Sequence, residues 1–352
     1  MMNLNRSSGG EIMQQQKGRQ SLAFDNPPCI RSAASVVGQK EGEGPLQAYF
    51  DRIIEDPMVG RESWEAGESE LIRQACQLAI EKSGLKRQDI RYVFAGDLLG
   101  QLIASTFGIK DMDIPLFGLY GACSTVGEAL SLGAMTVAAG YAHNVLAAAS
   151  SHFGSAEKQF RFPLEYGHQR PLSATWTVTG SGAFVLSDDP EGEIVIPGIT
   201  TGTVTDYGVR DSMNMGAAMA PAAAAVIYQN LQDFGRKPKD YDRIVTGDLG
   251  KVGKGILIKL LNDNGYDILD EHMDCGIEIY DNSEQDTHSG GSGCGCSAVT
   301  LAGYILDKLK KREWNRVLFV PTGALLSTVS FNEGQTVPGI AHAVMIENRG
   351  CR

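Results

Sequence analysis

The chain has 352 residues, of which 43% are hydrophobic, and a formal net charge of −11 at pH 7. That size and apolar content allow one large core or two of ordinary domain size. The acidic balance excludes nucleic-acid binding as the main function and a strongly basic membrane-binding face. Seven cysteines (29, 76, 123, 275, 294, 296 and 351) are odd in number and widely scattered, which points to a reducing compartment rather than a disulfide framework. Residues 1–20 include Ser7-Ser8-Gly9-Gly10 and Gln14-Gln15-Gln16; they read as a polar, disordered tail without a secretory signal. The apolar stretches Leu130–Ala149 and Met215–Ile227 are interrupted or too short for a membrane span of about 20 residues. The chain is therefore expected to be soluble.

The pattern predicts a strand over 22–37, a helix over 64–83, a strand over 91–95, a helix over 100–108 and a strand over 115–120. Next come the turn Gly121-Ala122-Cys123-Ser124-Thr125, a helix over 125–140 and strands over 144–149 and 181–187. The turn Asp188-Asp189-Pro190-Glu191-Gly192 then separates two halves, 21–190 and 191–352. The second half predicts a strand over 193–204, a helix over 216–232, a strand over 242–247, a helix over 255–264 and a strand over 274–280. A helix over 296–310 and strands over 316–321 and 341–347 complete it.

The halves share a grammar. Ala95-Gly96-Asp97-Leu98-Leu99 follows one strand, and Thr246-Gly247-Asp248-Leu249-Gly250 follows its counterpart. Cys123-Ser124-Thr125 leads through a helix to a strand, as Cys296-Ser297-Ala298 does later. A duplicated α/β unit with mostly parallel strands accounts for this order.

The chemistry centres on Cys123. A cysteine at a helix N-terminus meets unpaired N–H groups and the positive end of the helix dipole, which favour a thiolate or a bound anion. The stretch His152–Arg170 gathers His152, Lys158, Arg161, His168 and Arg170 with Phe160, Phe162 and Tyr166. Arginine pairs bidentately with carboxylates, and aromatic faces stack on planar rings. Cys294 and Cys296 form a Cys-x-Cys pair without a second pair at zinc spacing, so no metal or other cofactor is expected. Asp97 and Asp248 read as turn or cap residues, and His143 and His272 as structural.

A cysteine after the third strand of the first of two similar halves resembles the thiolase fold, and Gly121-Ala122-Cys123-Ser124 resembles the nucleophile turn of ketoacyl synthases. The resemblance narrows to the stage V sporulation protein AD family through phrases spread over roughly residues 18–350. They include Lys40-Glu41-Gly42-Glu43-Gly44-Pro45-Leu46, Gln159-Phe160-Arg161-Phe162-Pro163, Met219-Ala220-Pro221-Ala222 and Gly290-Gly291-Ser292-Gly293-Cys294-Gly295-Cys296. The resemblance implies a thiolase-like, five-layered αβαβα fold made of two duplicated halves. It also implies a soluble protein that binds dipicolinic acid, pyridine-2,6-dicarboxylate, for uptake into or release from the spore. Such a protein would lie peripheral to the forespore or spore inner membrane, work with membrane proteins of the same operon, take part in germination and possess a possible homodimer interface. Thiolases carry a histidine and a second cysteine opposite the nucleophile. Here the corresponding turn reads Gly293-Cys294-Gly295-Cys296 and the corresponding late stretch Gln335-Thr336-Val337-Pro338. Binding without turnover is thus the expectation, with Cys123, His152, Arg161, Tyr166, Arg170 and Cys294 as ligand-binding candidates. The alternative is an acyltransferase or ketoacyl synthase using Cys123 as nucleophile.

Overall fold

The computed structural model describes residues 15–160 and 169–350. Ten strands run in the order His272–Asp274, Arg243–Thr246, Arg316–Val320, Ala343–Asn348, Ile194–Thr200, Cys29–Gly38, Gly180–Ser187, Asn144–Ser151, Tyr92–Gly96 and Leu116–Gly118. The middle of this path is a single antiparallel pairing, Val195 with Cys29. Outward from that junction, both sides give the same sequence of strands: first, fifth, fourth, second, third. In both, the fifth strand is antiparallel to its neighbours and the remaining pairs are parallel. The repeated grammar of the sequence is thus a repeated topology.

Three apolar cores separate the layers. Helix Trp64–Ser83 covers the outer face of the first set of strands through Leu71, Ile72 and Ala75. Helices Met215–Phe234 and Gly250–Asp263 cover the outer face of the second set through Met219, Ile227 and Leu257. Between the two sets lie helix Thr125–Ala138 and the helix beginning at Cys294, which share a core with Phe184, Phe319 and Val344. The two long outer helices carry matching punctuation. Ser63 Oγ and Asn214 Oδ1 each accept a hydrogen bond from a first-turn N–H, and Gly84 and Gly235 close the C-termini at φ of 73° and 64°.

Several boundaries differ from the sequence reading. The strand expected over 22–37 is two pieces, Ser21–Ala23 and Cys29–Gly38, because Pro27 and Pro28 cannot donate to a ladder. The strand expected over 274–280 ends at Asp274, whose side chain caps helix Cys275–Glu278 by accepting from the Ile277 N–H. Residues 15–20, assigned to the polar tail, include the strand Gln16–Lys17 paired with Ser21–Ala23. The Asp233 carboxylate fixes this segment by accepting from the N–H groups of Arg19 and Gln20 and from Ser21 Oγ.

The central helices lie so close to the strands that some positions have no room for a side chain. A Cβ on Gly182 would come within 2.5 Å of the Ala298 carbonyl, a backbone atom that cannot swing aside. Gly182→Val is therefore expected to destabilise the protein by about 3 kcal/mol, read as a lower urea midpoint with an unchanged slope.

Candidate functional site

The turn Gly121–Ser124 places Cys123 one residue before the N-cap of the central helix Thr125–Ala138. Ala122 takes φ 49°, a left-handed conformation costly for a residue with a Cβ. Hydroxyls hold the turn: Ser124 Oγ donates to the Gly121 carbonyl at 2.6 Å, and Thr125 Oγ1 to the Ala122 carbonyl at 2.6 Å. From the second half, Cys294 Sγ donates to the same Ala122 carbonyl at 2.9 Å. Cys294 thus supports the turn from behind.

Cys123 is 5% exposed and forms one wall of a narrow cavity of about 30 Å³. Leu98, Tyr120, Phe160, Met215 and Leu326 make it largely apolar, and Glu157, Thr177 and Ser292 add polar groups. Leu98, Tyr120, Phe160 and Leu326 also line an outer vestibule, so the cavity and the vestibule share a wall.

The groups facing the thiol come from the second half. Cys123 Sγ lies 4.0 Å from Ser292 Oγ. Ser292 Oγ donates to Asp248 Oδ2 at 3.0 Å, the Gly293 N–H donates to the same oxygen at 2.9 Å, and Thr322 Oγ1 donates to Asp248 Oδ1 at 2.8 Å. Burial, and next the negative charge of Asp248, push the Cys123 thiol well above its ordinary range. The helix N-terminus favours a thiolate or a bound anion; against the thiolate, desolvation and the adjacent carboxylate prevail, and the resting group is a thiol. Asp248, read from sequence as a turn residue, is therefore a determinant of the site. Its signal was its place after the second strand of its half, matching Asp97.

His152 does not line this cavity. It is 2% exposed; its Nε2–H donates to the Pro57 carbonyl at 2.7 Å, and its Nδ1 accepts from the Gly154 N–H at 3.0 Å. Both ring nitrogens are thereby committed, and burial lowers its pKa, so the imidazole is neutral. Arg170 packs on the Trp176 ring at 5.0 Å and pairs with Asp286 at 3.0 Å, also outside the cavity lining. Arg161 and Tyr166 lie outside the described residues, as does His168. Immediately after His152 the chain forms helix Phe153–Phe160, and it is this helix that brings Ala156, Glu157 and Phe160 to the cavity. Glu157 accepts from Thr177 Oγ1 at 2.8 Å. Neither Glu157 nor Ser292 stood out in the sequence, because a glutamate in a helix and a serine among glycines are ordinary there.

Behind the cavity, Glu68 anchors the same helix. It accepts from Ser155 Oγ at 2.5 Å and from Ser150 Oγ at 3.0 Å. Asp97 accepts from the Leu99 N–H at 2.8 Å and from the N–H and hydroxyl of Ser105 at 2.7 and 2.6 Å.

The match to known proteins agrees with this geometry. The family model for stage V sporulation protein AD (SpoVAD) matches residues 18–347. The chain belongs to the stage V sporulation protein AD family. It is 43% identical over 333 residues to the stage V sporulation protein AD of Bacillus subtilis (strain 168), covering 95% of this chain and 98% of that one. Among solved structures it is similar to Xanthomonas campestris OleA, with a TM-score of 0.60, 13% identity and 92% and 97% of the two chains covered. It is similar also to 3-oxoacyl-[acyl-carrier-protein] synthase III of Aquifex aeolicus VF5, with a TM-score of 0.55, 13% identity and 91% and 99% covered. The chain is thus a sporulation-family protein with a thiolase-like fold. Among the described residues no helix is long and apolar enough to cross a membrane, and no cluster of histidine, cysteine and carboxylate groups has the arrangement of a metal site.

The buried carboxylates make two effects measurable. Replacing Asp248 with Asn removes the charge beside the thiol, so the Cys123 pKa should fall and its alkylation at pH 8 should accelerate, as read from the pH profile of the labelling rate. Burial, and then the Asp97 charge, raise the Glu68 pKa from 4.5 to about 8. The folded chain thus binds this proton more tightly than the unfolded one. The resulting stabilisation is complete below about pH 4.5 and is lost as pH rises towards 8. Glu68→Gln, which fixes the neutral form, should flatten the decline in melting temperature between pH 5 and 8.

Proposed function

We propose that this protein binds dipicolinic acid without chemical turnover, as a soluble component of the machinery that moves it into or out of the spore. The observation that carries the reading is the thiol of Cys123, faced by Ser292 and the buried carboxylate of Asp248. Acyl transfer needs a thiolate and a partner that shuttles protons. Asp248 instead opposes the thiolate by its charge, while its own hydrogen bonds hold the Ser292–Gly293 turn.

A protonated thiol is a weak donor, suited to a bound carboxylate rather than to nucleophilic attack. Tyr120 and Phe160 supply aromatic surface for a pyridine ring. A dianion loses much hydration on entering such a space and needs a cation in return. Arg161, next in the chain to the cavity-lining Phe160, is proposed to supply it, and Tyr166 is proposed as a further ligand contact. Family membership supports the assignment to spore dipicolinate and to membrane partners of the same operon, with the protein peripheral to the forespore or spore inner membrane. The exposed edge strand Leu116–Gly118, with Phe117 52% exposed, suits pairing with a second copy.

The fold of the condensing-enzyme neighbours favours one competing reading, acyl transfer on Cys123. Calorimetric titration with pyridine-2,6-dicarboxylate, with the 3,4-dicarboxylate as control, separates the two. Saturable heat is expected with the 2,6 isomer alone, and Cys123→Val, whose small added volume occupies the cavity, should weaken it with the fold retained. No heat at millimolar ligand, together with an acyl adduct on Cys123 from an acyl-CoA panel detected by peptide mass, would establish the transferase instead.

A further inference from the structure

The segment Leu98–Leu102 lies between the cavity and solvent. Leu98 lines both the inner cavity and the outer vestibule, and Leu99, Gly100 and Gln101 line the vestibule. Its two ends are tied to one buried side chain. Asp97 Oδ1 accepts from the Leu99 N–H, and Asp97 Oδ2 accepts from the N–H and hydroxyl of Ser105. Between these anchors, Gln101 (φ 54°, ψ 22°) and Leu102 (φ 54°, ψ 47°) are consecutive non-glycine residues in the left-handed region. That conformation brings Cβ against the following carbonyl, and it is rare for leucine. Gly100, the residue able to absorb such a turn at no cost, is adjacent but is not among the residues of positive φ.

The second wall of the same passage is tied to the same buried pair. Ser155 Oγ, on the helix that carries Ala156, Glu157 and Phe160, donates to Glu68, whose pKa is raised in part by the Asp97 charge beside it. Across the mouth the contact is looser: Tyr120 Oη donates to the Leu98 carbonyl at a long 3.4 Å. Strain is thus concentrated in a short segment that is firmly clamped at both ends and lightly held across the mouth. Such strain persists only where the surroundings over-determine it, and it gathers at ligand clamps and switches.

We infer that Leu98–Leu102 is a strained gate, hinged on Asp97 and Ser105, whose release from the left-handed pair at Gln101–Leu102 opens the vestibule to the Cys123 cavity. In the closed state, which is that of this structure, Leu98 and Tyr120 narrow the passage. Opening lets Gln101 and Leu102 return to negative φ while the Asp97 hydrogen bonds hold the ends in place. The inference rests on the reading of this cavity as the ligand site, but its readout needs no ligand, so the two fail separately.

The experiment measures the rate at which N-ethylmaleimide alkylates Cys123 in the full chain, tracked by peptide mass, in wild type and in three variants. Gln101→Gly and Leu102→Gly remove the left-handed penalty of the closed state and should slow labelling by roughly tenfold each while raising the melting temperature. Gln101→Pro, whose ring fixes φ near −65°, excludes the closed state and should speed labelling by roughly tenfold. If the proline variant does not fold, the glycine variants decide alone. Unchanged labelling in the glycine variants, with or without a higher melting temperature, overturns the gate and leaves the strain purely structural. Absence of any Cys123 labelling in the wild type over a day, where urea-unfolded protein labels fully, overturns it as well.

Discussion

The whole molecule depends on two helices being buried between strands on both sides. Helix Thr125–Ala138 packs on strands of the first half and on Ala343–Asn348 of the second, and the helix starting at Cys294 packs on Gly180–Ser187 and Asn144–Ser151. A helix enclosed in this way cannot carry long side chains where it meets a strand closely. This explains the small residues of Thr125–Ala138 and the run Cys294-Gly295-Cys296-Ser297-Ala298. At Gly295 a Cβ would lie 2.5 Å from the Gly180 carbonyl, so close backbone contact replaces side-chain packing there. Small residues on both central helices are the means by which two halves become one body.

That packing also sets the electrostatics. Loops after the second strands of the two halves deliver Asp97 and Asp248 to the level where the central helices begin, and both are fully sheltered from solvent. A buried carboxylate is tolerated only when hydrogen-bonded, and each of these accepts several donors. Asp97 uses its donors to hold the segment at the cavity mouth, whereas Asp248 uses them to hold the Ser292–Gly293 turn opposite Cys123. The same kind of residue at equivalent places thus organises the entrance in one half and the floor in the other. The consequence for Cys123 is that a position favouring a thiolate by backbone geometry disfavours it by side-chain charge.

Much of the fold was legible because its signals are local and repeated. Strand–Gly–Asp–Leu phrases at Gly96-Asp97-Leu98 and Gly247-Asp248-Leu249, and a cysteine-led helix in each half, mark equivalent elements whatever surrounds them. The misread strand at 274–280 shows the limit. Its apolar and β-favouring residues Cys275, Ile277 and Ile279 fit an alternating pattern, but a capping hydrogen bond from Ile277 N–H to Asp274 opens a helix there instead. Site residues were legible only where chemistry and position coincide, as at Cys123. His152 has the chemistry of a site residue, yet Pro57, distant in sequence, accepts its Nε2 proton.

Glu157 and Asp248 carry the opposite lesson. A carboxylate acquires meaning at a site through the exclusion of water from its surroundings, and that exclusion is a tertiary property with no local signal. Both face the space around Cys123 because a helix and a loop from different halves converge there. An acidic, largely apolar cavity beside a neutral thiol is poorly arranged to stabilise a developing oxyanion, which calls for donors aimed at it. Within the thiolase-like framework, burial and the adjacent Asp248 carboxylate together oppose formation of a thiolate at Cys123.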